Sequence, residues 1–192
     1  MELTDNDLML AVKRGKPECF GVLFDRHQRR LFEFFYRLSG DAASSEDLVQ
    51  EVFLRMLKYR NTFREDSNFR PWMYHIARTA RVDRFNAERD KPSPPGFTEL
   101  APIHHGEEPL QRLLQNERSH ILQQALLQLP EAKRELLILA RFHELKYEDI
   151  ASLLNVETST IKVRVHRALI ELREIIQRLS EVGPCVVKKS GE

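Results

Sequence analysis

Apolar residues recur at helical spacing along most of this chain, in blocks that glycine, proline and short polar turns separate. In the first half, this periodicity predicts a helix that Thr4 or Asp5 can cap and that ends before Gly15, followed by helices over 18–38, 45–59 and 69–88. In the second half, it predicts helices over 110–128, 131–142, 147–154 and 158–179. The predicted fold class is therefore all-α.

Repeated prolines and glycines interrupt the helical pattern between residues 90 and 109. We therefore predict two small helical domains joined by a flexible linker, with the first domain over 1–91, the linker over 92–112, the second domain over 113–180 and a tail over 181–192. The second is predicted to be a four-helix domain that contains a helix-turn-helix. His104 and His105 lie in the linker without a second ligand cluster nearby, so no metal site is predicted there.

The helix predicted over 45–59 has two different faces. One is an apolar stripe typical of core packing, and Ser44 can cap the start of this helix. The other is acidic and also carries a leucine; it consists of Asp47, Gln50, Glu51 and Leu54. This second face fits either a solvated helix surface or a docking surface for a basic partner, and periodicity does not separate the two.

A polar stretch over 61–68 follows, in which Phe63 is the one large apolar residue. Such a loop is either a recognition loop or a plain connection with Phe63 as a buried anchor. In the helix after it, three arginines at 78, 81 and 84 are interleaved with Tyr74 and Phe85 away from the apolar stripe. Cations for phosphates and rings for unstacked bases are what single-stranded nucleic acid requires, although a solvated basic face has the same composition.

Residues 147–179 have the spacing of a helix-turn-helix. Between its two helices, Asn155 is a residue that tolerates the left-handed conformation such a turn often needs, and Thr158 can cap the second helix. If the second helix enters a major groove, Lys162 can donate to guanine, Val163 can contact a thymine methyl group and Arg164 suits a phosphate. A helical hairpin that binds no DNA remains the alternative.

Composition narrows the functional class. Charged residues make up 31% and hydrophobic residues 42% of the 192 residues, as in a folded soluble protein, and the net charge is only +1. There is no apolar run long enough to span a bilayer and no signal peptide, and Cys19 and Cys185 lack metal-ligand spacing, which predicts a cytosolic protein with free thiols. Glu46, Asp47 and Glu51 have no histidine or nucleophile fixed beside them, so no catalytic site is predicted.

Several segments occur in a specific order and spacing. They are Asp47-Leu48-Val49-Gln50-Glu51-Val52-Phe53, Phe69-Arg70-Pro71-Trp72-Met73-Tyr74-His75-Ile76-Ala77-Arg78, Leu129-Pro130, Tyr147-Glu148-Asp149-Ile150-Ala151 and Thr160-Ile161-Lys162-Val163-Arg164-Val165-His166-Arg167-Ala168. With these segments, the chain resembles bacterial RNA polymerase sigma factors of the extracytoplasmic-function (ECF) group over about residues 5–180. No single segment decides the resemblance, but their joint order is highly specific.

The resemblance implies a promoter-specificity factor rather than an enzyme, without cofactor, metal or small-molecule substrate. Its implied partners are core RNA polymerase (the β′ coiled coil and the β flap), promoter DNA and an anti-sigma factor, which is often membrane-bound in this family. The residues implied in polymerase docking are Asp47, Gln50, Glu51 and Leu54. Those implied in binding the −10 promoter element are Asn61, Phe63, Arg64, Ser67, Asn68, Trp72, Tyr74, Arg78, Thr79 and Arg81. Those implied in reading the −35 element are Thr158, Ser159, Thr160, Lys162, Val163, Arg164, His166 and Arg167.

Two departures from the family pattern affect the expected DNA contacts. Thr79 replaces the usual asparagine, and Ser159 and Val163 replace the usual glycine and serine, so the promoter sequence can differ from the commonest one. A rival hypothesis is a classical regulator that binds duplex DNA through 147–179 without polymerase and has no need of the acidic face. A weaker rival is a helical nucleic-acid enzyme that uses His104 and His105.

Overall fold

The computed structural model describes residues 3–89 and 109–181. Their helices are α1 (Asp5–Lys13), α2 (Glu18–Ser39), α3 (Ala42–Lys58), α4 (Phe69–Arg89), α5 (Pro109–Gln128), α6 (Glu131–Leu137), α7 (Tyr147–Leu154) and α8 (Thr158–Glu181). A 3-10 turn over Arg60–Thr62 follows α3, and a π-helical turn over Ile138–Phe142 continues α6. No strand occurs in these two ranges, and the all-α prediction is confirmed. Most of the predicted linker and the tail from 182 lie outside the described residues, and residues 109–112 belong to α5.

Local hydrogen bonds set where the helices of the first domain begin and end. Thr4 forms a capping box with Asp7 at the start of α1, and Gly40 ends α2 with a left-handed φ of 77°. The cap of α3 is Asp41, whose side chain accepts from the backbone N–H of Ala43 and of Ser44. The prediction that Ser44 caps this helix is therefore wrong. Its hydroxyl instead donates to Asp41 at 2.6 Å, and this hydrogen bond lowers the pKa of the Asp41 carboxyl.

The first domain is a bundle of α1 to α4 around one apolar core. α2, the longest of these helices, contributes the fully buried rings of Phe34 and Phe35, and α3 contributes the stripe that the periodicity predicted, including Val52 and Met56. Because α1 packs on α2, the core closes on that side with Met9, which has no exposed surface. The stripe of α3 faces this core, so its acidic face points outward.

The second domain consists of α5 to α8, as predicted for a four-helix domain. α7 and α8 form the helix-turn-helix. Asn155 between them adopts φ 53° and ψ 51°, the left-handed conformation that its residue type predicted. α8 begins at Thr158, and its inner side carries the buried Ile161 and Val165. The helix predicted over 131–142 is one continuous segment, but its last turn is π-helical.

The two domains pack against each other through α2 and α4 of the first and α5 to α7 of the second. The buried His143 ring lies 5.7 Å from the ring of Phe34 and 5.2 Å from that of Tyr74. The guanidinium of Arg37 lies 4.1 Å above the Phe142 ring. Arg70 donates to the backbone carbonyl of His143. Apolar burial and polar contacts therefore both join the two domains.

Candidate polymerase-docking and DNA-binding surfaces

The acidic face of α3 is on the surface, with Asp47 and Gln50 exposed and Leu54 63% exposed. The carboxylates on this face are held by neighbouring arginines. Asp47 accepts from Arg84 at 3.2 Å, and Glu51 accepts from Arg55 at 2.6 Å. Leu54 is among the most exposed large apolar residues of the part of the chain that the structure describes. The structure thus places the four residues of the predicted docking face on one exposed surface.

Arg55 connects this face to α4. Its guanidinium binds Glu51 and also Asp83 of α4, the latter at 2.5 Å. The hydrogen bonds that Arg55 donates, first to Glu51 and then to Asp83, raise the pKa of its guanidinium above the ordinary value. A surface cavity of about 280 Å³ lies beside this network and is lined by Glu51, Leu54, Arg55, Lys58, Tyr59 and Asp83. The face therefore combines a fixed charge pattern with a recess next to Leu54.

The loop after α3 presents its polar side chains outward and its aromatic side chain inward. Asn61, Arg64 and Asn68 are exposed and Ser67 is half-buried, whereas Phe63 has no exposed surface. The Phe63 ring packs edge-on against Trp72 at 5.2 Å between centroids. Of the two alternatives for Phe63, the structure supports the buried anchor, and direct contact with DNA is ruled out in this arrangement.

A second cavity of about 280 Å³ opens where the end of α3, Thr62 of this loop and α4 meet. Trp72 forms part of its wall, and the indole N–H donates to the Thr62 hydroxyl at 3.3 Å. Thr79 lines the same cavity, with its hydroxyl donating to the His75 carbonyl at 3.0 Å. His75 also lines this cavity and is not among the predicted site residues, although the spacing of Trp72, His75 and Thr79 puts them on one helix face. The wall also includes Arg55, Tyr59, Ile76 and Asp83.

The outward side of the helix-turn-helix is polar and basic. Lys162, Arg164, His166 and Arg167 are exposed on the first half of α8, and Val163 is 50% exposed among them. Ser159 is also exposed, and Thr158 and Thr160 are half-buried. The predicted −35 set thus lies at one end of α8, on the side opposite the buried Ile161 and Val165.

Comparisons with known proteins agree with both halves of this architecture. Residues 23–91 match the model of Sigma-70 region 2, and residues 119–172 match that of Sigma-70 region 4. The RNA polymerase sigma-H factor of Pseudomonas aeruginosa is 30% identical over 183 residues, covering 91% of this chain and 95% of that protein. The chain belongs to the sigma-70 family, in its ECF group.

Two further relatives extend this likeness. The ECF RNA polymerase sigma factor SigW of Bacillus subtilis is 27% identical over 187 residues, covering 93% of this chain and all of that protein. The sigma factor RpoE of Bartonella quintana, solved in complex with the anti-sigma factor NepR, is 25% identical with a TM-score of 0.66. That alignment covers 82% of this chain and 96% of the solved one.

In the present structure, the region 4 domain engages Arg78 and Arg81 of α4. The Arg78 guanidinium binds Glu135 at 2.7 Å and donates to the Leu153 carbonyl at 2.8 Å. Arg81 binds Glu131, also at 2.7 Å. Two of the predicted −10 residues therefore contact carboxylates of the other domain, and helical periodicity contains no signal for these contacts.

Tyr74, predicted to contact DNA, is buried between the two domains. Its ring lies between Phe34 and His143 and has no exposed surface, and burial raises the pKa of its hydroxyl well above the ordinary value. The prediction that Tyr74 contacts the −10 strand is corrected for this arrangement, because the ring is enclosed by both domains.

The described residues show no helix long and apolar enough to cross a membrane. Over the same ranges, no cluster of three or more His, Cys, Asp or Glu side chains is placed to hold a metal ion. The His104 and His105 segment lies outside the described residues.

Proposed function

We propose that this sigma factor, acting in the cytoplasm, docks on the β′ coiled coil of core RNA polymerase through the acidic face of α3. We further propose that the 61–68 loop and α4 hold the melted −10 strand, and that α8 reads the −35 element. The observation that carries the proposal is the exposure of Leu54 within a face of paired acids. A single exposed leucine is ordinary on a protein surface, but here it lies beside paired acids and lines a recess with Glu51, and this combination favours a docking surface over a merely solvated face.

The docking face suits a partner with basic and apolar side chains. Arg84 and Arg55 hold the Asp47 and Glu51 carboxylates in place, so little side-chain entropy remains to be lost on binding. Covering Leu54 with a partner side chain contributes about 1.5–3 kcal/mol if the leucine becomes fully buried. Charge complementarity then sets orientation and the association rate more than affinity.

For the −10 element, the cavity between the loop and α4 supports a role in receiving an unstacked base. Trp72 offers an aromatic wall and Thr79 an exposed hydroxyl next to it. Flipping a base out of a duplex costs a few kcal/mol, which stacking and pocket hydrogen bonds offset. The proposed set keeps Asn61, Arg64 and Asn68 as exposed contacts and omits Phe63 and Tyr74, which are buried.

Two arginines of α4 that are proposed to bind the −10 strand contact the region 4 domain. All three guanidinium nitrogens of Arg78 donate to the region 4 domain, and Arg81 donates to Glu131, so a phosphate has to compete with Glu135 and Glu131 for these arginines. We therefore infer that promoter binding separates the two domains. We also infer control by an anti-sigma factor, since the related Bartonella quintana sigma factor was solved bound to one.

For the −35 element, the exposed half of α8 offers donors and one apolar contact. Lys162 can donate to a guanine edge and Val163 can contact a thymine methyl group, while Arg164 is positioned for a phosphate. These side chains belong to the region 4 domain and stay exposed, whereas another side of the same domain contacts Arg78 and Arg81. In this arrangement, −35 residues are thus accessible when part of the −10 surface is covered.

The first test is run-off transcription with purified core polymerase on a genomic promoter library, comparing wild type with Leu54→Lys. Leu54 is preferred to Glu51 because removing Glu51 also breaks the pair with Arg55. We expect specific transcripts with the wild-type protein and their loss with Leu54→Lys, together with weakened binding to a purified β′ coiled-coil fragment. Ile170→Lys, at another exposed apolar residue but in the region 4 domain, is the matched control for fragment binding.

The result that contradicts the docking proposal is equal binding of wild type and Leu54→Lys to the β′ fragment. Specific binding of duplex DNA by the protein alone, without any polymerase-dependent transcript, would instead favour the classical regulator.

A further inference from the structure

The first helix of this sigma factor precedes the residues that match the region 2 model, yet it touches the proposed −10 loop directly. Asn6 of α1 bridges the end of the loop and the start of α4. Its side-chain N–H₂ donates to the Ser67 carbonyl at 3.1 Å, and its side-chain oxygen accepts from the Phe69 backbone N–H at 2.8 Å. One amide thereby satisfies two backbone groups that lie more than 60 residues further along the chain.

The other end of α1 holds the beginning of the same loop. The Lys13 ammonium donates to the backbone carbonyl of Phe63, whose ring is buried, at 2.6 Å. Arg14 forms an ion pair with Glu65 at 2.7 Å, but both side chains are about 70% exposed, so this pair contributes little. Asn6 and Lys13 are therefore the two contacts that fix the loop at its two ends.

The buried His27 of α2 contacts both α1 and the start of α4. Asp5 and the Nε2 of His27 lie 2.7 Å apart, and the His27 ring lies 5.0 Å from the Phe69 ring at the start of α4. Asp5 also pairs with Arg26 at 3.0 Å. α1 is thus attached to α2, which gives Asn6 and Lys13 a rigid support.

The hydrogen bonds within the loop do not replace this support. Phe63 N–H donates to the Arg60 carbonyl and Ser67 N–H to the Arg64 carbonyl, which are local turns. Arg64 pairs with Asp66, again within the loop. The conformation of residues 64–68 therefore also depends on contacts from outside the loop. α4 supplies one, from the Trp72 backbone N–H to the Asn68 carbonyl, and α1 supplies the others, from Asn6 to the Ser67 carbonyl and from Arg14 to Glu65. Recognition sites require such support, because a displacement of about 1 Å already loosens them.

We infer that α1 positions the −10 loop, with Asn6 and Lys13 as positioning residues for −10 specificity. The inference rests on the proposed function of the loop. Neither residue has to touch DNA: each acts through the backbone that presents Arg64 and Asn68.

The test is transcription by holoenzyme from a library in which the −10 and −35 elements are both randomised, with Asn6→Ala and Lys13→Met. Sequencing the transcripts gives base enrichment at every position. We expect the −10 enrichment of both variants to fall by about fivefold or more, the size of one lost base contact. The −35 enrichment and the affinity for core polymerase should stay within about twofold of wild type. Lys16→Met, an equal charge change at an exposed residue just after α1, should behave as wild type.

An unchanged −10 enrichment in Lys13→Met overturns the inference, whatever the transcript yield. The same holds if enrichment falls equally in both elements or equally in Lys16→Met. Lys13→Met decides the matter if Asn6→Ala does not fold, because the lysine stem and the helix remain. If the wild-type holoenzyme yields no specific transcript at all, the proposed function fails first, and this outcome is distinct from the others.

Discussion

The contact of Arg78 with Glu135 offers a direct measure of how strongly region 4 holds region 2. The guanidinium forms hydrogen bonds of 2.7 and 3.4 Å with the two carboxylate oxygens and a further one with the Leu153 carbonyl. The Arg78 side chain is 30% exposed and that of Glu135 is 13% exposed, so solvent screens this pair less than a surface pair. Glu135→Gln should therefore weaken the domain interface specifically.

The expected magnitude follows from the hydrogen bonds that are lost. A hydrogen bond to a charged group contributes about 1.5–3 kcal/mol, and glutamine keeps one acceptor oxygen, so a loss of about 1–2 kcal/mol is expected. Glu135 has its ion-pair partner in the other domain. The loss therefore destabilises the closed state, in which the two domains are in contact, relative to an open state in which they are apart, and hardly affects the stability of the region 4 domain itself. A loss of this size raises the ratio of open to closed molecules by about 5- to 30-fold.

Single-molecule FRET measures this ratio. Dyes at Asp25 in α2 and Arg178 in α8, both exposed, report the distance between the domains, after Cys19 and Cys185 have been replaced by serine. The wild-type protein and Glu135→Gln should be compared at a salt concentration at which the wild-type protein populates both the open and the closed state.

Glu174→Gln is the control for the charge change, because Glu174 is exposed on α8 and has no ion pair among the described residues. A ratio for Glu135→Gln within about twofold of the wild-type ratio would refute the reasoning. So would an equal rise in the ratio for Glu174→Gln.

Three further predictions concern single residues. Burial, aided by nearby arginines, lowers the pKa of His143 from 6.5 to about 3. Because the histidine of the unfolded chain is protonated at a higher pH than that of the folded protein, the free energy of unfolding should fall as the pH drops from neutral towards 3. In urea titrations, His143→Phe should lose this part of the pH dependence. Asn155→Ala should cost about 1 kcal/mol in urea unfolding and Asn155→Gly far less, because φ is 53°. Lys162→Ala should change base preference at one −35 position by about 1–3 kcal/mol, whereas Arg164→Ala should weaken binding to all sequences alike and reduce the salt slope by about 1, both measured on randomised duplexes.

The sequence predicted the elements well where the signal is local. Gly40 ends α2 and Asn155 forms the turn before α8, because the left-handed conformation depends on the residue itself. The stripes of α3 and α8 were predicted because burying apolar side chains on one face requires a helical period. The cap of α3 was missed, because Asp41 and Ser44 are both good capping residues and only the backbone geometry distinguishes them.

The candidate site was predicted in part. The exposed Leu54 followed from the helical period, since that period assigns it to the acidic face and not to the core stripe. The burial of Phe63 and Tyr74 did not follow, because an aromatic residue beside arginines can turn towards DNA or towards a core, and its neighbours in space decide which.

Taken alone, the sequence determined the helices, the two-domain order and the faces that carry acids, bases and apolar residues, since all of these depend on residues a few positions apart. The tertiary structure decided which surfaces are covered. Arg78 meets Glu135 across 57 positions, and Asn6 meets Phe69 across 63. Contacts at such separations depend on how the helices pack, and helical periodicity carries no information about the partner of an outward-facing polar side chain.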